Sequence, residues 1–321
     1  MKKWKVAFTR EGASEDDFIC NYLRERDFDV YLRPRTNTDE DDCIRRLEGM
    51  DAVLATEDPY TAKVLNALKG TLKIISRTGV GTNSIDLNEA SRLGIIVCNT
   101  PGLMANQVAE HALGLLLSLM RSISVSDTRI KSGKWLFGTR ASPELEGKTI
   151  GLLGFGSIAK KFVRYLCGFD CSFLAYDPCF DEEAAGKLGV KKSSIEEILA
   201  KSDVVSLHLP ATPETKGMVN RTFLSKMKKS AFLVNTARGS IVNENDLYEA
   251  LKNDVIAGAA LDVMECEPPD PGNPLFGLDN VVITPHIGSV TQEGFRRVWI
   301  AAAERVCECR DGREILCKVA P

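Results

Sequence analysis

The sequence predicts an α/β protein with two parallel-sheet domains, the second inserted into the first. Three observations carry that prediction. Short apolar runs alternate with helical patterns along almost the whole chain. Two such arrays can be separated, one over the first hundred residues and one from Lys148 onward. A strongly helical tail follows the second array after its strands are complete, so it is expected to return to the first. The 321 residues suffice for two domains with cores of their own.

In the first array, residues 5–9, 30–32, 51–55, 72–76 and 95–98 read as strands. Ser14 is expected to cap a helix running to Arg26, and further helices are expected over 39–48, 61–68 and 86–93, the last stopped by Gly94. Five strands alternating with helices point to a flavodoxin-like sheet. A single long helix is expected over 104–132, with Val108, Leu113, Leu115, Leu116, Leu119 and Ile123 apolar. That face is wide enough for either internal packing or contact with a second subunit. The second array has six expected strands, 149–153, 173–176, 204–209, 232–235, 256–260 and 281–283, which suits a doubly wound sheet. Residues 267–274, rich in proline, are a loop inside it, and 290–308 are the helical tail.

Composition excludes several functions. A net charge of −3 gives no field to draw the chain to nucleic acid or an anionic membrane. The longest apolar stretch, 112–120, is too short to span a bilayer, and the start lacks a signal-peptide core, so a cytoplasmic protein is expected. Ten scattered cysteines are expected as reduced thiols, and with three histidines no metal site is expected.

The segment from Thr149 to Asp177 carries the first chemical signal. An apolar run enters Gly154-Phe155-Gly156-Ser157-Ile158-Ala159, a helix follows, and a second apolar run ends on Asp177. A dinucleotide needs those parts in that order. Gly154 permits the turn, Gly156 lets the backbone approach a pyrophosphate, and Ala159 lets helix and strand pack closely. The helix N-terminus offers N–H groups and a positive dipole end. Asp177 stands where an acid accepts hydrogen bonds from the adenosine ribose and repels the extra phosphate of NADP, so NAD is the expected cofactor.

Four later strand ends carry polar residues: His208-Leu209-Pro210, Asn235-Thr236-Ala237-Arg238, Asp262 followed by Glu267, and His286-Ile287-Gly288-Ser289. Ligands of open α/β sheets bind beyond the carboxyl ends of strands, so His208, Arg238, Asp262, Glu267 and His286 can converge on one cleft. Singly, Arg238 reads more readily as a surface ion-pair residue and Glu267 as a loop carboxylate, and His286 reads also as a satisfied structural histidine. His111, inside the long helix, reads as packing.

Taken in order, the segments starting at Arg77-Thr-Gly-Val-Gly, Asn99-Thr-Pro-Gly, Val108-Ala-Glu-His, the glycine loop, Asn235-Thr-Ala-Arg-Gly, Ala260-Leu-Asp-Val with Glu267-Pro, and Pro285-His-Ile-Gly resemble the D-isomer-specific 2-hydroxyacid dehydrogenase family over nearly the whole chain. The pattern looks most like the phosphoglycerate dehydrogenases, in a short form without their C-terminal regulatory domain. The resemblance implies two Rossmann-like or flavodoxin-like domains: a substrate domain of residues 1–100 plus 287–321 and an NAD-binding domain of 101–286, hinged near 100 and 286. It implies Arg238 as the holder of the substrate carboxylate, His286 as acid/base and Glu267 as the partner of its other ring nitrogen, stabilising the imidazolium. Arg77, Val80 and Gly81 would bind substrate, the last two through backbone N–H groups and Arg77 through a second anionic group. Cofactor contacts would come from Val108, Gly154, Gly156, Ser157, Ile158, Asp177, Pro178, His208, Leu209, Pro210, Thr215, Thr236, Ala237, Arg238, Asp262, His286, Gly288 and Ser289, with Asp262 at the nicotinamide carboxamide. The implied assembly is a homodimer. The implied reaction interconverts a D-2-hydroxy acid and a 2-keto acid, with 3-phosphoglycerate first in line. Alternatives are a glyoxylate/hydroxypyruvate reductase and an NAD(H)-sensing binding protein like the corepressors of this fold.

Overall fold

The computed structural model describes residues 3–35, 39–135 and 141–321. The chain divides into two compact units, residues 1–104 with 291–321, and residues 105–290.

The first unit holds five parallel strands: β1 (Lys5–Phe8), β2 (Asp29–Leu32), β3 (Ala52–Ala55), β4 (Ile74–Arg77) and β5 (Ile96–Cys98), in the order β2-β1-β3-β4-β5. That is the flavodoxin-like order. Strands β3 and β4 are buried along their full length, as strands covered on both faces must be. Alternation sorts their side chains: Val53 and Ile75 pack with Leu47, Val64 and Leu65 on one face, while Leu54 and Ile74 pack with Ile19, Trp299 and Val306 on the other. The tail helix Gln292–Arg310 thus belongs to this unit's core.

The second unit holds seven parallel strands: β6 (Thr149–Leu153), β7 (Ser172–Tyr176), β8 (Val190–Lys192), β9 (Val204–Leu207), β10 (Phe232–Asn235), β11 (Gly258–Leu261) and β12 (Val281–Ile283). Their order, β12-β11-β10-β9-β6-β7-β8, is doubly wound, with the order reversing between β6 and β9. Ile150, Leu152 and Val234 pack with helices Ala105–Met120 and Ser157–Leu166; Leu153, Leu207 and Leu233 pack with Leu199, Leu224 and Leu247 on the opposite face.

Three expectations are corrected. The long helix is two, Ala105–Met120 and Ile123–Lys131, bent by 64° where Ser122 takes a left-handed φ of 52°. Among the described residues no single helix is long and apolar enough to cross a membrane. The second sheet has a seventh strand, β8, whose two lysines are exposed and leave no apolar run to read. The first helix is Phe18–Arg24, capped by Asp17, which accepts from the Ile19 N–H, and not by Ser14. All ten cysteines are free.

Candidate active site

Along the carboxyl edge of the seven-stranded sheet the chain presents a series of loops. At the switch point, Gly154 has a φ of 96°, and a Cβ there would lie 2.5 Å from the His208 carbonyl oxygen. Glycine is required on both counts, since the loops after β6 and β9 touch backbone to backbone. Gly156 caps the helix Ser157–Leu166 with no side-chain hydrogen bond and with open space where a Cβ would stand. Among the described residues no acceptor meets the N–H groups of Gly156, Ser157 or Ile158. Ala159 is fully buried against the sheet.

Asp177, just past β7, accepts from the Phe155 N–H at 2.7 Å and the Cys179 N–H at 2.7 Å. Its carboxylate is thereby aimed across the glycine loop, with lone pairs left for hydroxyl donors. Nearby cations are engaged: Lys160 lies 2.5 Å from Asp181 and Lys192 lies 2.9 Å from Glu182. Pro178 and Pro210 are exposed and Leu209 is buried. The Thr215 hydroxyl donates to the Pro210 carbonyl at 2.7 Å and so ties the loop after β9 to itself. The His208 ring meets Ser206 Oγ at 3.0 Å and the Phe162 ring at a 5.7 Å centroid separation. Burial lowers its pKa from 6.5 to about 4, so the imidazole is neutral.

At the end of β10, Thr236 is buried and its hydroxyl has no partner among the described residues. Ala237 follows, its N–H bound to Asn235 Oδ1 at 3.0 Å. Arg238 donates from Nη1 to the Ala237 carbonyl at 2.6 Å and forms no ion pair among the described residues, so most of its guanidinium is free for an incoming anion. Gly239 fits Arg238 closely to the segment bearing Glu267, because a Cβ there would fall 1.8 Å from the Met264 carbonyl oxygen.

Glu267 accepts the Met264 N–H at 3.0 Å on one oxygen and meets His286 Nδ1 at 2.7 Å on the other. The loop is braced by Glu244, which accepts from the Glu265 N–H at 2.5 Å and from Asn273 at 2.7 Å. His286 has a φ of 55°, unusual for a residue with a Cβ. Asp262 holds it there. The Asp262 carbonyl accepts the His286 N–H at 2.7 Å, and its carboxylate accepts the Ile287 N–H at 2.9 Å, the Gly288 N–H at 2.8 Å and the Thr284 hydroxyl at 2.6 Å. His111 Nε2 completes the cluster, 2.9 Å from Thr284 Oγ1 and 3.1 Å from Asp262. Burial pushes the Asp262 pKa up, but these donors outweigh it and the net shift is downward. With its carboxylate so engaged, Asp262 acts through the turn that carries His286, and His111 is part of a polar network where sequence showed only packing. Val108, buried, lies one turn before His111 on the same helix. Ser289 follows Gly288 and is partly buried.

The structure therefore brings Gly154 to Ile158, Asp177, His208, Thr236, Arg238, Asp262, Glu267 and His286 to one edge of one sheet. Arg77, Val80 and Gly81 belong to the first unit, at and after the end of β4. No acceptor meets the Val80 or Gly81 N–H among the described residues. Arg77 donates to the Gly81 and Thr78 carbonyls at 3.2 and 3.0 Å and is ion-paired with Glu57. Sequence reasoning had not singled out Glu57, Glu244 or Thr284. The only trace of Glu57 was an acid two residues past an apolar strand.

A dinucleotide fits this edge. The open cradle at Gly156, the unbonded N–H groups at the helix start and the orphaned Thr236 hydroxyl are groups that a phosphate-bearing ligand with polar rings would satisfy. Among the described residues no three His, Cys, Asp or Glu side chains cluster as metal ligands.

Residues 113–288 match the model of the D-isomer specific 2-hydroxyacid dehydrogenase, NAD binding domain. The chain is 40% identical over 303 residues to the D-3-phosphoglycerate dehydrogenase of Archaeoglobus fulgidus, a match covering 94% of this chain and 56% of that one. It thus spans little more than half the length of that relative. It is 39% identical over 271 residues to the hydroxypyruvate reductase of Thermotoga maritima, covering 84% of this chain and 87% of that one. A solved structure from Thermus thermophilus superposes with a TM-score of 0.91 at 34% identity, covering 98% of this chain and 100% of that one.

Proposed function

Because the chain belongs to the D-isomer-specific 2-hydroxyacid dehydrogenase family, whose members are NAD-dependent oxidoreductases, we propose that it interconverts a 2-keto acid and a D-2-hydroxy acid at the Arg238–Glu267–His286 site. The observation that carries this is the 2.7 Å contact between His286 Nδ1 and Glu267. It fixes the ring tautomer, leaves Nε2 to exchange a proton with the substrate oxygen, and supports the imidazolium whenever that proton is held. Arg238, lacking a carboxylate partner, is available to grip the substrate carboxylate bidentately and so orient the carbonyl. The bound nicotinamide supplies or accepts the hydride. Reduction then consumes one hydride at the carbonyl carbon and one proton, from His286, at the carbonyl oxygen.

Asp177, aimed by two backbone N–H groups and without an unpaired cation beside it, supports NAD over NADP. Two substrate classes fit the chemistry. One has a phosphorylated side group, like the acid in the name of the Archaeoglobus relative; the other is small and neutral, as in that of the Thermotoga relative. Homodimerisation is supported by Ile123 and Ile130, exposed two turns apart on one helix, and by exposed Trp135.

The test is oxidation of NADH with a panel of 2-keto acids, alongside NADPH. His286→Ala should lower kcat by about a thousandfold or more while the Kd for NADH stays within a few-fold. A variant retaining wild-type kcat would remove His286 from the acid/base role. Comparable kcat/KM with NADPH would overturn the assignment of Asp177. Tight NADH binding with no turnover of any acid would favour an NAD(H)-sensing binding protein.

A further inference from the structure

His111 takes no direct part in the proposed reaction, yet it reaches the turn that carries His286. Its helix, Ala105–Met120, is anchored in the core of the second unit through Ala112, Leu115 and Leu116. Asp262 and Thr284 directly follow the last residues of β11 and β12, and those residues, Leu261 and Ile283, are paired in register. The two polar side chains therefore stand side by side at the sheet edge. The His111 ring meets both, with Nε2 2.9 Å from Thr284 Oγ1 and 3.1 Å from Asp262 Oδ1.

The hydrogen count fixes the ring tautomer. The Thr284 hydroxyl has one hydrogen and gives it to Asp262 Oδ1 at 2.6 Å. Asp262 is ionised: burial raises its pKa, but the bonds it accepts lower it further, and a carboxylate offers lone pairs only. Nε2 thus faces lone pairs on both neighbours, so the ring hydrogen sits there and His111 is a donor to the pair. Asp262 in turn accepts three successive N–H groups: His286 on its carbonyl, Ile287 on Oδ1 and Gly288 on Oδ2. The carboxylate cannot rotate about its last bond without releasing one of the last two. Those bonds hold His286 at a φ of 55°, a conformation that a residue with a Cβ resists. The turn is packed closely on its holders, since a Cβ on Gly288 would lie 2.8 Å from Asp262 Oδ2 and 3.4 Å from His111 Cδ2.

We propose, on the premise that His286 is the acid/base of a dehydrogenase, that His111 and Thr284 are positioning residues for it. By donating to Oδ1 they fix the rotamer of Asp262, and Asp262 fixes the left-handed turn that keeps His286 Nδ1 on Glu267. His111 also ties that turn to a core helix. With either donor gone, the carboxylate is free to swing, Ile287 and Gly288 lose their acceptor for part of the time, and His286 Nε2 is misdirected. A proton donor displaced by about 1 Å is slow although the substrate still binds.

Steady-state reduction of glyoxylate and of hydroxypyruvate by NADH, alongside amide hydrogen exchange of the apoprotein, tests this on His111→Gln, His111→Leu and Thr284→Val. His111→Leu should lower kcat about tenfold and leave the KM of the acid and the Kd for NADH within about twofold. Glutamine puts an amide N–H where Nε2 stood, so His111→Gln should recover most of the lost rate; loss of packing alone would give no such recovery. Thr284→Val should resemble His111→Leu, and the double replacement should cost little more than either alone, because both act through one carboxylate. The peptide holding Ile287 and Gly288 should exchange about tenfold faster in His111→Leu and near the wild-type rate in His111→Gln. A glutamine variant as slow as the leucine one, or a leucine variant with wild-type kcat and exchange, would overturn the role of His111 and leave the dehydrogenase assignment standing. NADH binding without reduction of any 2-keto acid would overturn the dehydrogenase assignment. The exchange rates then decide by themselves whether His111 and Thr284 hold the turn, and unchanged rates would overturn that as well.

Discussion

Replacement of His208 by Gln tests the electrostatics of the cofactor edge without touching the proposed acid/base. The imidazole lies against Phe162 at 5.7 Å between centroids and meets Ser206 Oγ at 3.0 Å, and burial depresses its pKa from 6.5 to about 4. In the unfolded chain the ring takes a proton as pH falls through about 6.5; in the folded chain it refuses one until about 4. Between those values the unfolded state binds more protons, so stability falls as pH falls. The slope from this ring alone is at most about 1.4 kcal/mol per pH unit, and the cumulative loss by pH 4 is at most about 3 kcal/mol. Glutamine has no such titration and can still meet Ser206. It should cost about 1 kcal/mol at pH 7.5 through poorer packing and then lose less than the wild type on acidification. Urea unfolding of the apoprotein at steps from about pH 7.5 to about 4.5 measures the difference, and with only three histidines in the chain the ring can also be titrated directly by NMR. Parallel stability curves for the two proteins, or a His208 signal titrating near 6.5, would refute the reasoning.

Asp262→Asn should destabilise the protein by about 2 kcal/mol, since an amide cannot replace both carboxylate oxygens and one of the Ile287 or Gly288 N–H groups is left facing a donor. Because the folded pKa of Asp262 is lowered, the wild-type contribution is complete above the unfolded value near 3.8 and is lost as pH falls through the lower folded one; acid unfolding curves of the variant should lack that component. Sizing in solution at micromolar concentration should give a dimer, and Ile130→Glu should shift it toward monomer; a monomeric wild type removes the interface assigned to the helix Ile123–Lys131.

Most strands were legible because parallel strands covered on both faces need unbroken apolar runs, and such runs stand out against polar loops. β8 was not, because an edge strand of Val190 and two exposed lysines carries no such run. The bend at Ser122 was hidden for a different reason. Apolar positions continue through Leu119, Met120 and Ile123, and a left-handed serine has no signature in the sequence. The first helix start was ambiguous because Ser14, Glu15, Asp16 and Asp17 include several good caps in a row. His111 and Thr284 are 173 residues apart in sequence, so no local spacing foretells their contact.

The two arginines show what sequence position alone leaves open. Arg77 and Arg238 both stand at the carboxyl ends of parallel strands, beside glycines and loop N–H groups, and each reads as an anion holder. Their electrostatic states differ because of what the adjoining strand delivers. β3, beside β4, ends two residues before an acid, and Arg77 is neutralised. β11, beside β10, ends before Asp262, but that carboxylate is turned inward to the His286 turn, and the next acid in the site, Glu267, is held on Met264 and His286. Arg238 therefore keeps its charge for a ligand even though two acids follow the neighbouring strand. The number of acids near a strand end is thus a poor guide to the charge presented there. What decides it is whether each carboxylate finds backbone donors before it finds the guanidinium, and that depends on the turn after each strand.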